Sequence, residues 1–193
     1  MVLFFKIIRK IKIYLKSLSV KYKLFELKTM YKKRFKYGGN LYFDKFFNIV
    51  FDNSFSSIVL GDNIQFRKYC NIVSSLNGKL SIGNRVFFNN SCSINCLYEI
   101  TIGDDCQFGE GVKLYDHNHD FKNIHLKINE QGFTKGSINI GRNCWIGSNV
   151  VILKNVTIGD NVVIGAGCII YNSVSENSII INNQLLVNKY LSN

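Results

Sequence analysis

The stretch IGRNCWIGSNVVILKNVTIGDNVVIGAG, residues 140–167, places an isoleucine at every sixth position. The same period extends back to Leu60 with insertions, and all 15 positions of this register are apolar. They are Leu60, Phe66, Ile72, Ile82, Phe88, Ile94, Ile102, Phe108, Leu114, Ile140, Ile146, Ile152, Ile158, Ile164 and Ile170. Glycine follows the register residue at eight of them, and a second apolar residue comes four positions after it everywhere except at Asn118. Such a period indicates a structure built from stacked repeats.

Each six-residue unit is predicted to be a short strand followed by a turn, for which glycine is suited where the backbone bends. Three units would close a triangular coil of about 18 residues, and coils would stack at the strand spacing of about 4.8 Å. Every insertion follows a third unit, so all of them would leave the prism at one corner. We expect five coils, over 60–77, 82–99, 102–119, 140–157 and 158–175.

The chain of 193 residues is long enough for one domain with its own core. We expect a basic arm and lead-in over 1–58, an all-β parallel β-helix over 59–176 with a protruding loop at 120–139, and a tail over 177–193.

The net charge of +11 comes from the arm, because residues 1–36 hold 12 of the 24 Lys and Arg and a single acid, Glu26. The remaining chain is neutral, which argues against a nucleic-acid partner. In the arm, Phe4, Ile7, Ile8, Ile11, Leu15 and Leu18 fall at helical spacing among lysines. This pattern predicts a basic amphipathic helix. The helix either lies on an anionic membrane surface or packs on its own domain.

Five of the six cysteines occupy the fourth position after a register residue. Their shared position predicts small buried apolar side chains in a reducing compartment. No apolar run reaches the roughly 20 residues that span a bilayer. We therefore expect a cytoplasmic protein, peripheral to the inner face of a bacterial membrane if the arm binds lipid.

The one break in the apolar fourth position, Asn118, lies in the segment Leu-Tyr-Asp-His-Asn-His-Asp at 114–120. All three histidines of the chain, His117, His119 and His125, lie here or in the insertion that follows. A coil that breaks its own packing rule and gathers imidazoles is a candidate site.

The C-terminal repeats resemble those of the galactoside and maltose acetyltransferase group of hexapeptide-repeat acyltransferases, and of capsule and lipopolysaccharide O-acetyltransferases. The resemblance rests on Asp-His-x-His before a loop, then Trp-Ile-Gly, then Ile-Gly-Ala-Gly. It implies a left-handed β-helix, acetyl-CoA as co-substrate without a metal, a carbohydrate acceptor and a homotrimer. The expected reaction is O-acetylation of a sugar hydroxyl in a surface polysaccharide or its precursor.

The resemblance also assigns roles to individual residues. The family's general base lies five residues after the last register residue of its coil, which is His119 here; His117 is the alternative, and Asp116 could support either ring. Asn89 matches an acceptor-binding residue. The cofactor-binding positions are Trp145, Gly147, Ser148, Ala166 and Lys189.

Three alternatives remain open from the sequence. The chain could transfer an acetyl group to the nitrogen of an amino sugar, since an amine needs less help from a base. Three histidines could hold zinc, as in γ-class carbonic anhydrases. A non-catalytic scaffold is the third, because Tyr171 and Asn172 replace the Thr-Lys pair that meets CoA phosphate in the family.

Overall fold

The computed structural model describes residues 2–51 and 55–182. An α-helix, α1 (Val2–Tyr31), leads through a 3-10 turn (Lys32–Arg34) into a long series of short strands. The strands are numbered in chain order and form three parallel sheets and one antiparallel pair. The first sheet contains β1 (Phe35–Tyr37), β4 (Ser57–Leu60), β7 (Lys79–Ile82), β10 (Glu99–Ile102), β15 (Ile138–Ile140) and β18 (Val156–Ile158).

The other two parallel sheets follow the same order along the molecule. The second contains β2 (Tyr42–Phe43), β5 (Gln65–Phe66), β8 (Phe87–Phe88), β11 (Gln107–Phe108), β16 (Trp145–Ile146), β19 (Val163–Ile164) and β21 (Ile179–Ile180). The third contains β3 (Asn48–Phe51), β6 (Asn71–Ser74), β9 (Ser93–Cys96), β12 (Lys113–Tyr115), β17 (Val151–Leu153) and β20 (Ile169–Ile170). The strands β13 (His117–His119) and β14 (Phe133–Lys135) form an antiparallel hairpin. It begins within the coil expected at 102–119, so the chain leaves the solenoid earlier than the loop expected at 120–139.

Equivalent register residues stack on one another in successive coils. In the first sheet, Leu60 pairs with Ile82, Ile82 with Ile102, Ile102 with Ile140, and Ile140 with Ile158. All of them are buried. The predicted parallel β-helix is therefore confirmed, whereas its left-handedness remains an expectation from the family resemblance.

The solenoid has about six coils rather than the five expected. The additional coil lies within the segment assigned to the lead-in, where β1, β2 and β3 pair with β4, β5 and β6. Tyr37, Phe43 and Ile49 continue the six-residue register, and Gly38 follows the first of them. Two of these three register residues are aromatic, whereas each later coil has at most one, so the repeat is less regular here.

Phenylalanines and cysteines fill the interior. The rings of Phe66, Phe88 and Phe108 stack in a column, with centroids 4.5 Å apart at each step. All six cysteines are buried free thiols, as the repeat position predicted for five of them; Cys96, the sixth, lies two positions after a register residue. The core is thus continuous along the solenoid.

The expected role of the glycines needs correction. The left-handed backbone lies three positions after the register residue, where asparagine is frequent: Asn63, Asn143 and Asn161 have φ of 57°, 55° and 57°. Asparagine is among the residues that tolerate this conformation best. Glycine one position after the register instead permits close approach of coils, because a Cβ on Gly147 would lie 2.6 Å from the amide nitrogen of Ala166.

The second half of α1 packs on the first coil through Val20, Leu24 and Leu27, which are buried. The ring of Tyr31 stacks on Phe51 with centroids 4.1 Å apart. Packing on its own domain, one of the two expectations for the arm, is therefore confirmed for this half. Within the described residues, no helix is long and apolar enough to cross a membrane.

Candidate active site

The histidine segment forms the base of an antiparallel hairpin. The solenoid strand β12 ends at Tyr115, and β13 then pairs with β14, with His117 opposite Lys135 and His119 opposite Phe133. Residues two apart on a strand point to the same face. Both imidazoles accordingly contact the Phe133 ring, with centroid distances of 5.3 Å for His117 and 4.7 Å for His119. The hairpin thus brings the two candidate bases together.

Asp116 is completely buried beside this hairpin. We number each corner of the prism by the sheet whose strands lead into it. At the third corner, the residues two positions after the register form a buried column of Ser74, Cys96 and Asp116. The fourth-position residues Leu76 and Tyr98 are 40% and 51% exposed, unlike the buried cysteines at this position of other units. The insertions cause this difference, because the chain leaves the coil before it reaches the fourth position.

Backbone amides hold the Asp116 carboxylate. The Leu97 amide donates to both oxygens at 2.9 and 3.0 Å, and the Tyr98 amide donates to Oδ2 at 2.7 Å. Burial, followed by the charge of Asp116, raises the pKa of the neighbouring Cys96 thiol. That thiol therefore stays protonated beside the carboxylate.

His117 contacts the same carboxylate. Its Nδ1 lies 3.0 Å from Oδ1 of Asp116, and 15% of its side-chain surface is exposed. An ionised carboxylate only accepts hydrogen bonds, so we infer that Nδ1 carries the proton and that Nε2 has a free lone pair. This arrangement orients a base, as in catalytic triads. His119 is exposed on the same face, and His125 lies exposed in the loop beyond.

A cleft of about 200 Å³ adjoins the carboxylate site, and Leu97 and Tyr98 form part of its wall. Its other lining residues are polar, namely Asn77, Lys79, Glu99 and Lys135. Sequence reasoning missed this cleft, since these residues come from three separate coils and from the hairpin. Lys135 was the only one with a signal, because it lies in the histidine-bearing insertion.

The other predicted residues lie at the second corner of the prism. Asn89 and Gly147 occupy one stacked position, and Ser148 and Ala166 occupy the next, through the register of β8, β11, β16 and β19. The Ser148 carbonyl accepts from the Gly167 amide at 2.8 Å, while its own amide has no acceptor in the described part of the chain. Trp145 is 59% exposed on the outer face of the second sheet. Lys189 lies outside the described residues.

One face of the prism separates this second corner from the Asp116–His117 pair at the third. That face is a strand with its flanking turns, on the order of 15 Å. A single chain therefore does not bring its histidines to Ser148 and Ala166. Within residues 2–51 and 55–182, no group of three His, Cys, Asp or Glu side chains is placed to hold a metal ion.

Known proteins with the same six-residue repeat are similar to this chain. The family described as "Bacterial transferase hexapeptide (six repeats)" matches residues 137–172. A galactoside acetyltransferase in complex with coenzyme A is 26% identical, with a TM-score of 0.53 over 86% of this chain and 76% of that one. Residues 137–172 therefore carry the repeat of this transferase family, and the fold is that of the hexapeptide-repeat acyltransferases.

Two further proteins are similar to this chain. A probable acetyltransferase of Mycobacterium tuberculosis is 31% identical over 77 residues, which are 40% of this chain and 26% of that protein. The chain therefore spans about a quarter of this curated relative. The N-acyltransferase AntD from Bacillus cereus, in complex with dTDP and coenzyme A, shares the fold at 20% identity, with a TM-score of 0.66 over 81% of this chain and 83% of that one.

Proposed function

We propose that this hexapeptide-repeat protein is an acetyl-CoA-dependent O-acetyltransferase that acts on a sugar hydroxyl of a surface polysaccharide or its precursor. The observation that carries the proposal is the Asp116–His117 pair at the base of the hairpin, with a ring nitrogen held at 3.0 Å from a buried carboxylate. A sugar hydroxyl has a pKa far above 7 and needs such a base.

In this reaction Nε2 of His117 accepts the proton of the acceptor hydroxyl while the oxygen attacks the thioester carbonyl carbon. The carbon–sulfur bond then breaks, and His117 returns the proton to the departing thiolate of CoA. Asp116 keeps the imidazole in the correct tautomer and stabilises its protonated form. The Ser148 amide supplies a donor for the oxygen that becomes negative in the tetrahedral intermediate.

We choose His117 over His119, which the family spacing favoured, because only the His117 ring contacts a buried carboxylate among the described residues. The solenoid strand ends at Tyr115, so the chain enters the hairpin earlier than the spacing assumed. His119, in contact with Phe133, is assigned to the acceptor side of the site together with Asn89 and the polar cleft.

The reaction requires a second copy of the chain. The histidine pair and the second-corner positions Trp145, Gly147, Ser148 and Ala166 lie at different edges of one prism. A cyclic trimer would place the third corner of one protomer against the second corner of its neighbour. We propose such a homotrimer, with CoA between protomers and Lys189 near its phosphates.

Transfer to the nitrogen of an amino sugar is the second candidate. It is favoured by the fold shared with AntD, an N-acyltransferase that has also been solved with dTDP-4-amino-4,6-dideoxyglucose and coenzyme A. Acceptor pairs that differ only in a hydroxyl or an amino group at one carbon would separate the two reactions. For either acceptor, we place the enzyme in the cytoplasm, at the inner face of a bacterial membrane contacted through residues 1–36.

The test is thiol release from acetyl-CoA with a panel of sugars and oligosaccharides. His117→Ala should lower the rate at least a hundredfold, while His119→Ala should act mainly on the KM of the acceptor. CoA binding by calorimetry provides the control, since neither ring holds CoA within its own chain. Unchanged turnover in His117→Ala would contradict the proposed base, and failure to bind CoA would support a scaffold instead.

A further inference from the structure

Helix α1 has two apolar faces on opposite sides. The face toward the solenoid contains the buried Val20, Leu24 and Leu27. A second set of apolar side chains is exposed: Ile7, Ile11, Leu18, Tyr22 and Phe25, between 42% and 71%. At about 100° per residue, these five fall within an arc of about 60°, roughly opposite the buried three. We call these five residues the outer stripe.

The outer stripe is bordered by positive charge. Lys10, Lys21 and Lys28 are exposed and fall within about 20° of one another beside it. The Lys28 ammonium lies 5.6 Å from the Tyr37 ring centroid, which holds its stem against the first coil. The helix carries one acid, Glu26, and Lys23 neutralises it at 3.3 Å.

We infer that the outer stripe is a docking surface for an anionic lipid bilayer. Apolar side chains bordered by lysines are the pattern with which a helix lies in the interface plane, its apolar face among the acyl chains. Each lysine near an anionic surface strengthens binding about fivefold. Self-association through this stripe is disfavoured, because pairing two such helices would bring together arms that each carry 12 bases and one acid over residues 1–36.

The opposed faces give the docking a defined geometry. Since the buried residues face away from the outer stripe, the helix can lie on the membrane while its second half remains packed on the solenoid. A helix of 30 residues is about 45 Å long. The first coil would then lie nearest the lipid, and the protein would work on acceptors presented at the membrane surface. The statement about acceptors rests on the proposed function, whereas binding of the outer stripe to lipid can be measured without any activity.

The test is co-sedimentation of the full chain with vesicles of phosphatidylglycerol and phosphatidylcholine, compared with phosphatidylcholine alone. We expect binding to the anionic vesicles that weakens at high salt. The triple variant Ile7→Ser, Ile11→Ser, Leu18→Ser should lower the partition coefficient at least tenfold. The matched control is Phe121→Ser, Ile124→Ser, Leu126→Ser, which removes three exposed apolar side chains from the hairpin loop and should bind as the unmodified protein does.

A second variant separates charge from apolar contact. Lys10→Gln with Lys21→Gln should lower the partition coefficient on anionic vesicles about 25-fold and leave that on neutral vesicles unchanged. Equal sedimentation with both vesicle types, or undiminished binding by the triple serine variant, would overturn the inference. So would a lipid-free oligomer that dissociates when the outer stripe is changed, since the stripe would then be a protein interface. Thermal unfolding of each variant verifies that its solenoid is intact.

Discussion

The Nδ1 atom of His117 lies 3.0 Å from Oδ1 of Asp116, a carboxylate that the solenoid buries completely. Asp116 also accepts hydrogen bonds from the backbone amides of Leu97 and Tyr98. One side chain therefore fixes the turn between two coils and orients the proposed base. The fold positions the imidazole through a residue that belongs to the core.

Replacing Asp116 with asparagine should impair catalysis more than binding. An amide can present its NH₂ group to Nδ1 and favour the wrong tautomer, so we expect kcat to fall on the order of 10²- to 10⁴-fold. The KM for acetyl-CoA should change little. Steady-state kinetics would measure both. Asp120→Asn, in the exposed loop, is the matched control, and an equal loss there would contradict a specific role for Asp116.

Mixed trimers should show that the site lies between protomers. His117→Ala removes the base, and Ala166→Trp obstructs the exposed second corner where we place CoA. Each variant alone should be inactive. Trimers reassembled from an equimolar mixture should recover about one quarter of the activity, because a quarter of the interfaces combine the two intact halves. A mixture that stays inactive, despite exchange of subunits verified by mass spectrometry, would place both halves within one chain.

The phenylalanine column should dominate the stability of the middle coils. Phe88 is fully buried, with Phe66 and Phe108 stacked on either side at 4.5 Å. Phe88→Ala would leave a cavity and should cost about 3–5 kcal/mol of unfolding free energy. Phe87→Ala, on the outer side of the same strand, should cost far less. Denaturant unfolding at fixed protein concentration measures the difference, and equal losses would contradict the column's role.

Acid should destabilise the protein by protonating Asp160, which lies at the corner that follows the first sheet. The backbone amide of Arg142, 2.7 Å from Oδ1 of Asp160, and then its guanidinium lower the pKa of Asp160. A carboxyl group with a lowered folded-state pKa stabilises the fold above its unfolded pKa of about 3.9, and that contribution is lost as pH falls through the folded value. Below both values no contribution remains.

Asp160→Asn should therefore lower the Tm at pH 6 and reduce the further loss between about pH 4 and pH 2. Thermal unfolding across this range gives the measurement. Asp120→Asn, which changes a half-buried carboxylate outside the solenoid, serves as the control. If the Tm of Asp160→Asn fell as steeply between about pH 4 and pH 2 as that of the unmodified protein, other groups would be responsible for the acid destabilisation.

The sequence by itself determined the solenoid. Register residues that are three units apart occupy the same position in successive coils. Leu60, Ile82 and Ile102 therefore form one buried column. The same reasoning found the histidine segment, because Asn118 broke the pattern. It missed the coil formed by Tyr37, Phe43 and Ile49, where α1 shares the packing and the repeat is less regular.

Only the tertiary structure decided which groups meet around that segment. The period of six fixes a residue's corner while the chain stays in the coil, but it fixes nothing after the chain leaves. The departure after Tyr115 buries Asp116 against amides from the preceding coil and turns His117 toward it. The two faces of α1 were likewise decided by packing, since helical spacing alone does not say which apolar stripe contacts the solenoid and which stays exposed.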